Sequence, residues 1–443
     1  MTAEISLSRR MVRAAQQLAF DRLGPEVVEK VKVALLDFLS CAFEARDLPW
    51  GCQAIQMVSR APGGKAAVIG TPFRVAASEA AFANATLGHG LVREDMHTGA
   101  VSHLGVVIFP TLLALAQQNK ATGRDFVLGA VCGYEVGAAV GRALMDQELV
   151  SRFRPTGITG PLGGAMAGSR LLKLGEGTSV SALGLAANAT GGLNEWPYAG
   201  GDEMFFHPGF AARNAVTAVE LAELGAFASE TALDGRAGLF AGLNRAARIS
   251  EVAAFSGRPL EILSVYHKPA PACNYAQTAC QAALAVAREV ESRDVVAIAV
   301  KASAAAVGYP GCDFAGPFER ILQAKMSIQY CVAATLARRA IEEANYHLLS
   351  DAEVVRLAGS MKLEEDAVFT AAYPRAQGAE VTVRLRDGQT LTRRMDNLVP
   401  ASPEEIRARF RMAAGNAASD IERIIDRLEE QDDVAALGAY LST

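Results

Sequence analysis

Residues 26–45 read EVVEKVKVALLDFLSCAFEA, with apolar side chains recurring at three- and four-residue spacing, the period of an α-helix with a buried face. Outward from this stretch the same period runs from residue 5 to about residue 254, through 110–118, 160–174, 179–189 and 211–224. Many of these segments are Ala- and Gly-rich on several faces, as in helices packed closely inside a large bundle. The first part of the chain therefore reads as all-helical.

The texture changes after Lys268-Pro-Ala-Pro-Ala. Residues 295–303, VVAIAVKAS, are β-branched and predict a strand, and 380–395, EVTVRLRDGQTLTRRM, alternate about Asp387-Gly388 and predict a hairpin. Helical stretches at 276–289 and 327–344 lie between them. Ser402 ahead of Pro403-Glu404-Glu405 marks the N-cap of a last helical region, continued at 418–427. The predicted organisation is mainly α: a large all-helical domain over 1–267, a smaller α+β lid over 268–400, and C-terminal helices over 401–443 that return to the helical domain.

Composition narrows the function classes. The chain has 443 residues, 43 Lys+Arg against 48 Asp+Glu, a net charge of −5, and no long basic tract, so nucleic acid is not an expected partner. Its seven cysteines are scattered, with no C-x-x-C pair, which predicts reduced thiols in a cytoplasmic setting rather than a disulfide framework or zinc knuckle. The N-terminal 20 residues carry Glu4, Arg9, Arg10 and Arg13 in an amphipathic pattern and read as a helix, not a secretory signal. The most apolar stretch, 126–143, is interrupted by Glu135 and several glycines, so no membrane span is predicted.

Three of six histidines fall in one segment, LGHGLVREDMHTGAVSHLGVVIFP, which holds His89, His97 and His103 with Glu94 and Asp95. An imidazole poised by a carboxylate is a general acid/base set. The same residues also suit helix capping and buried hydrogen bonds, and a metal set of His97, His103 and Asp95 is a further alternative. The five-residue gap between His97 and His103 is not that of a helical ligand pair, so no metal is expected. A second segment, RFRPTGITGPLGGAMA, places Arg154 and Thr156 at a Gly/Ala-rich helix start suited to gripping a carboxylate, or to a loop ion pair. A third, GGDEMFFHPGFAARN, offers Asp202, Glu203, His207 and Arg213 around a helix entry. A fourth, HKPAPACNYAQT, offers Lys268, Asn274, Tyr275 and Gln277 where the two domains meet, a place where clefts form. Cys273 reads there as a packed small side chain, with a low-pKa thiol as the alternative.

Taken in order, SHLGVVIFPTLLALA, RPTGITGPLGGAMAGSRLL, HPGFAARNAV, KPAPACNYAQTACQAAL and AKMSIQYCVAA resemble the MmgE/PrpD family over nearly the whole chain. The resemblance implies a helical domain with an α+β lid, a homodimer, a site between the domains and no organic cofactor. It implies dehydratase, decarboxylase or epimerase chemistry, as in members acting on 2-methylcitrate, cis-aconitate and iminodisuccinate. The catalytic positions match poorly: the family's first Asp falls on Val92, its Thr on Met96, two of its histidines on Arg154 and Gln277, and its Lys on Met204. Only His103 keeps its type.

The reading that follows is a lyase, a hydro-lyase, acting on a small carboxylic acid by proton abstraction α to a carboxylate. His103 is the acid/base, with His97, Asp95 or Glu94 as its partner. Arg154 and Lys268 hold carboxylates, and Thr156, Asn274, Tyr275, Gln277, His89 and His207 orient the substrate. An epimerase or isomerase, or a non-catalytic binding protein on the same fold, are the alternatives.

Overall fold

The computed structural model describes residues 5–61, 63–257 and 259–442. Its architecture follows the expected pattern, a helical bundle carrying a small α+β lid. Helix Pro25–Glu44 opens with proline in its first turn and buries Val31, Leu35, Leu36, Phe38 and Leu39. It packs against helix Ala77–His89 and, from the far end of the chain, helix Pro403–Ala414, where Phe43 and Phe410 meet edge to face at 6.3 Å. The C-terminal helices thus lie on the helical domain.

Behind these run Gly105–Gln118, Gly123–Leu144, Pro155–Leu171, Glu176–Asn188 and His207–Glu223, packed side by side. Helix Gly123–Leu144 is long and apolar enough to cross a membrane by composition, but 94% of that window is buried inside the fold. Core burial explains its apolarity. Helix Gly105–Gln118 starts earlier than the 110–118 pattern indicates and carries Pro110 inside it.

The helical region is not purely helical. Two short antiparallel ribbons interrupt it, Ala66–Ala67 with Arg74–Val75 and Met96–His97 with Val265–Tyr266. The second ribbon joins the histidine segment to the chain that leads into Lys268.

The lid sheet has four strands in the order Met361–Glu365, Val295–Ala302, Ala379–Leu385 and Thr390–Met395. The predicted hairpin is its last pair, with Thr382 opposite Thr392. The edge strand Met361–Glu365, parallel to Val295–Ala302, was not expected from its sequence. Helices Gln277–Ala287 and Ile328–Arg338 pack together beneath the sheet. Ser402 caps helix Pro403–Ala414 in a full capping box with Glu405.

Candidate active site

The helical domain and the lid meet around a tightly closed cavity of about 10 Å³, walled by His103, Arg154, Cys273, Asn274, Tyr275 and Tyr309, with Val92, Val101, Met96 and Met326 as its apolar part. Each polar group is fixed by local structure. His89 ends helix Ala77–His89, and the chain then turns through Val92, which sits at φ 56°. Val101, at φ 51°, makes a second such turn. A β-branched residue in this region is strained, and both strained valines face the same cavity.

Glu94 is the centre of the arrangement. Its Oε1 accepts from His89 Nδ1 and lies 3.1 Å from His103 Nδ1, while Oε2 is buried with no partner among the described residues. His103 Nδ1 also lies 3.0 Å from the Asp95 carbonyl oxygen, and the His103 backbone N–H donates to Thr156 Oγ1 at 3.0 Å. Two acceptors at Nδ1 place the imidazole proton there and leave Nε2 as the free basic atom. On the other ring, Arg154 Nη2 donates to His89 Nε2 at 3.3 Å, and Nη1 donates to Tyr309 Oη at 3.1 Å.

Burial sets the charge states. It pushes His103 down to about 3 against the pull of Glu94, and it lowers His89 as well. Burial acts to raise Glu94, yet the adjoining imidazoles hold its carboxyl well below the usual range. The carboxylate is therefore ionised and both rings are neutral. Lys268 is fully buried, donates to the Val92 carbonyl, and is pushed down by burial to about 8, with Glu94 opposing. Arg154 is the cation in the cavity wall and the Lys268 ammonium lies behind Val92, a pairing suited to an anion.

Several expected residues serve elsewhere. Asp95 does not offer its carboxylate to His103: Oδ2 accepts from Tyr134 Oη at 2.5 Å and Oδ1 from Gly105 N–H at 3.2 Å, and burial raises its pKa to about 6. Gly105 is required for this approach, because a Cβ there would stand 2.7 Å from Asp95 Oδ1 and 2.4 Å from Tyr134 Oη. His97 turns away, with Nε2 bonded to Glu261 at 2.9 Å in a separate cleft that also holds Arg142. The metal set of His97, His103 and Asp95 is consequently not assembled. His89, Glu94 and His103 instead bring ligand atoms within 4.8 Å of one another. The two Nδ1 atoms are already taken up by Glu94 Oε1, and the cluster lies beside the cations Arg154 and Lys268, a setting that disfavours a divalent cation.

Thr156 holds the His103 backbone and is not part of the wall. Gln277 also works behind the wall: Oε1 accepts from Ala270 N–H, and Nε2 donates to the carbonyls of Ala270, Ala272 and Cys273 at 2.9–3.1 Å, which pins the Pro-Ala-Pro-Ala loop. Asn274 reaches the cavity with its amide tied to Tyr266 and Gln377. His207 stands behind Arg154 with Nδ1 buried and without a partner among the described residues, and burial pushes it down to about 3. Arg213 pairs with Glu79, outside the cavity.

Sequence reasoning missed Tyr309 and Tyr373. Tyr275 packs against both rings at 5.2 and 5.8 Å, and its hydroxyl meets that of Tyr373 at 3.1 Å. Beyond this trio lies an outer pocket of about 160 Å³ that shares Val101, Tyr275 and Tyr309 with the inner one, so the tyrosines form the partition between cavity and surface.

Comparison with known proteins bears on this site. The MmgE/PrpD N-terminal domain model matches residues 9–252, and the MmgE/PrpD C-terminal domain model matches 270–432. The chain belongs to the MmgE/PrpD family. Similar curated proteins include a cis-aconitate decarboxylase of Aspergillus terreus, 30% identical over 245 residues, and a cis-aconitate decarboxylase-like protein of Aspergillus oryzae, 31% identical over 233. These alignments take in 54% and 51% of this chain and 50% and 48% of the relatives, so the chain spans about half the length of these curated relatives it matches. The human cis-aconitate decarboxylase is 25% identical over 466 residues, covering 98% of this chain and 94% of its own.

Within this MmgE/PrpD chain the substituted positions divide into two groups. Val92, Met96 and Arg154 stand in the cavity wall with His103, whereas Met204 is fully buried in the core and Gln277 lies behind its loop.

Proposed function

We propose that this protein is a lyase acting on a small carboxylic acid, with His103 as the base that removes a proton from the carbon next to the carboxylate. The observation that carries the reading is His103 itself, neutral, held at Nδ1 by Glu94 and the Asp95 carbonyl, with Nε2 free beside a cavity whose wall includes Arg154 and, through Val92, adjoins the buried Lys268. Arg154 and the Lys268 ammonium would hold the substrate carboxylate and the negative charge that develops on proton removal, the type of fixed electrostatic help that is worth a few kcal/mol, about 3.

The finer reading is a hydro-lyase. His103 Nε2 takes the α-proton, the C–O bond at the β-carbon breaks, and Lys268 is the buried ammonium that supplies a proton to the departing hydroxyl. A second reading, decarboxylation, draws on the names of the relatives. It needs an acid rather than a base at the reacting carbon, and a neutral His103 suits it less well. The apolar Val92 and Met96 support a mono- or dicarboxylate in preference to a tricarboxylate.

The test is turnover in deuterated water followed by NMR, with hydroxy acids and their unsaturated counterparts as substrates. An alkene formed with loss of water supports the hydro-lyase, and release of carbon dioxide supports the second reading. Deuterium exchange without an alkene would point to an epimerase, and ligand binding without any reaction would leave a binding protein.

A homodimer is part of the proposal. Phe210, Leu221, Leu224 and Phe227 form an exposed apolar stripe along and just beyond helix His207–Glu223, a surface suited to a second copy. Sedimentation of Leu224→Glu beside the unmodified protein tests it, with a shift to monomer expected. The seven free cysteines support a reducing, cytoplasmic location.

A further inference from the structure

Four of the seven cysteines, Cys273, Cys280, Cys312 and Cys331, follow residue 268, and all four are buried. Cys273 and Cys312 touch, with Sγ atoms 3.5 Å apart. They belong to separate segments. Cys273 closes the Pro-Ala-Pro-Ala loop, where its N–H donates to the Lys325 carbonyl at 2.8 Å. Cys312 ends the turn that begins at Tyr309, and its carbonyl accepts from Ile328 N–H at 2.9 Å. Cys273 lines the cavity, and Cys312 stands behind it with no exposed surface. A small reagent that enters the cavity therefore meets one thiol with a second in contact behind it.

We propose that Cys273 and Cys312 are a reactive dithiol that a peroxide-class oxidant converts to a disulfide, linking the lysine-bearing loop to the Tyr309 segment across the cavity wall. The Cys273 thiolate attacks one peroxide oxygen: an S–O bond forms, the O–O bond breaks, and the leaving hydroxide takes a proton to become water. Cys312 Sγ then attacks the sulfenic sulfur, forming the S–S bond and releasing the hydroxyl with the Cys312 proton as a second water. Two thiols are oxidised and one peroxide is reduced to two waters. The sulfurs have to close by about 1.5 Å to reach bonding distance, which draws Cys273 away from the cavity.

Electrostatics support the same order of events. Burial acts to raise Cys273, but the Cys312 S–H, the Tyr275 backbone N–H, Lys268 and Arg154 outweigh it and hold this thiol below the ordinary value. Cys41 and Cys132 are pushed upward by burial and serve as inert controls.

The experiment treats the reduced full chain with hydrogen peroxide, blocks remaining thiols under denaturing conditions and maps the peptides by mass spectrometry. Because it reads thiol chemistry, it stands apart from any turnover. The expected result is a linked pair of peptides carrying residues 273 and 312, reversed by dithiothreitol, with both thiols lost together at least about tenfold faster than Cys41 and Cys132. In Cys312→Ser the link vanishes and Cys273 is trapped as a sulfenic acid by dimedone. In Cys273→Ser, Cys312 stays reduced. Loss of Cys273 and Cys312 no faster than the controls overturns the proposal, as does a Cys312 that oxidises equally well in Cys273→Ser.

Discussion

His103 and Glu94 are joined through Nδ1 and Oε1 at 3.1 Å, and this contact decides which face of the imidazole is available for chemistry. Because the Asp95 carbonyl shares the same nitrogen, the ring cannot turn its proton toward the cavity without abandoning two acceptors. Nε2 is thus presented as a base by geometry as well as by charge.

Replacing His103 with Gln removes that base while keeping a side chain of similar reach. Turnover and α-proton exchange should fall by about 10²–10⁴-fold, the usual range for a positioned acid/base group, while carboxylate binding through Arg154 persists. NMR in deuterated water measures the exchange and calorimetry the binding. Undiminished exchange would remove His103 from the mechanism.

Lys268 predicts an alkaline limit. Burial pushes it down to about 8, so it is charged below that pH and neutral above it. Carboxylate affinity should be level up to about pH 8 and then weaken by up to about tenfold per unit. Lys268→Met should bind weakly at all pH values, with no such limb. A dissociation constant for the unmodified protein that does not change between pH 7 and 9.5 would show that Lys268 does not hold the ligand.

Acid should destabilise the fold through its neutral histidines. His103 and His207 are each pushed down to about 3, so between there and the ordinary 6.5 the unfolded chain binds protons that the folded chain refuses. Stability is fully present above about 6.5 and declines as the pH falls, each imidazole adding a slope of about 1.4 kcal/mol per pH unit. His207→Asn should reduce the slope by one such increment. Urea unfolding from pH 4.5 to 7.5 checks this, and an unchanged slope would contradict it.

Gly192 should prove irreplaceable for a steric reason. It sits at φ +103°, and a Cβ there would lie 3.2 Å from His207 Nδ1 and 3.3 Å from the Arg154 Cβ. Its carbonyl also accepts the Arg154 backbone N–H at 2.9 Å. Gly192→Ala should lower stability by about 1–3 kcal/mol and weaken carboxylate binding by moving Arg154. Thermal melting and calorimetry on the one variant measure both effects, and unaltered affinity would separate Arg154 from its anchor.

Legibility in the sequence followed the range of the interactions. Helix Pro25–Glu44 and strand Val295–Ala302 carry strong local signals, a 3.6-residue apolar period and a β-branched run, and both were readable. Strand Met361–Glu365, MKLEE, is a mostly exposed edge strand rich in charge, so nothing local marks it. Proximity along the chain grouped His97 with His89 and His103, but the ribbon at 96–97 turns its ring to Glu261, 164 residues away. Tyr309 and Tyr373 are invisible for the same reason, since their partners Arg154 and Tyr275 lie far off in sequence. Asp95 was misjudged because the spacing shows a carboxylate, while the fold uses its carbonyl for His103 and its side chain for Tyr134.

The ribbon of Met96–His97 with Val265–Tyr266 has a mechanical consequence. Together with the Lys268 bond to the Val92 carbonyl, it stitches the segment that leads to His103 to the segment that carries Lys268. His103 and Lys268 are thereby held on segments tied to each other at two points. Tyr309 and Tyr373, which wall the outer pocket, sit on stretches of chain outside that stitched unit, so substitutions there can reshape the entrance while leaving the His103 and Lys268 segments tied to each other.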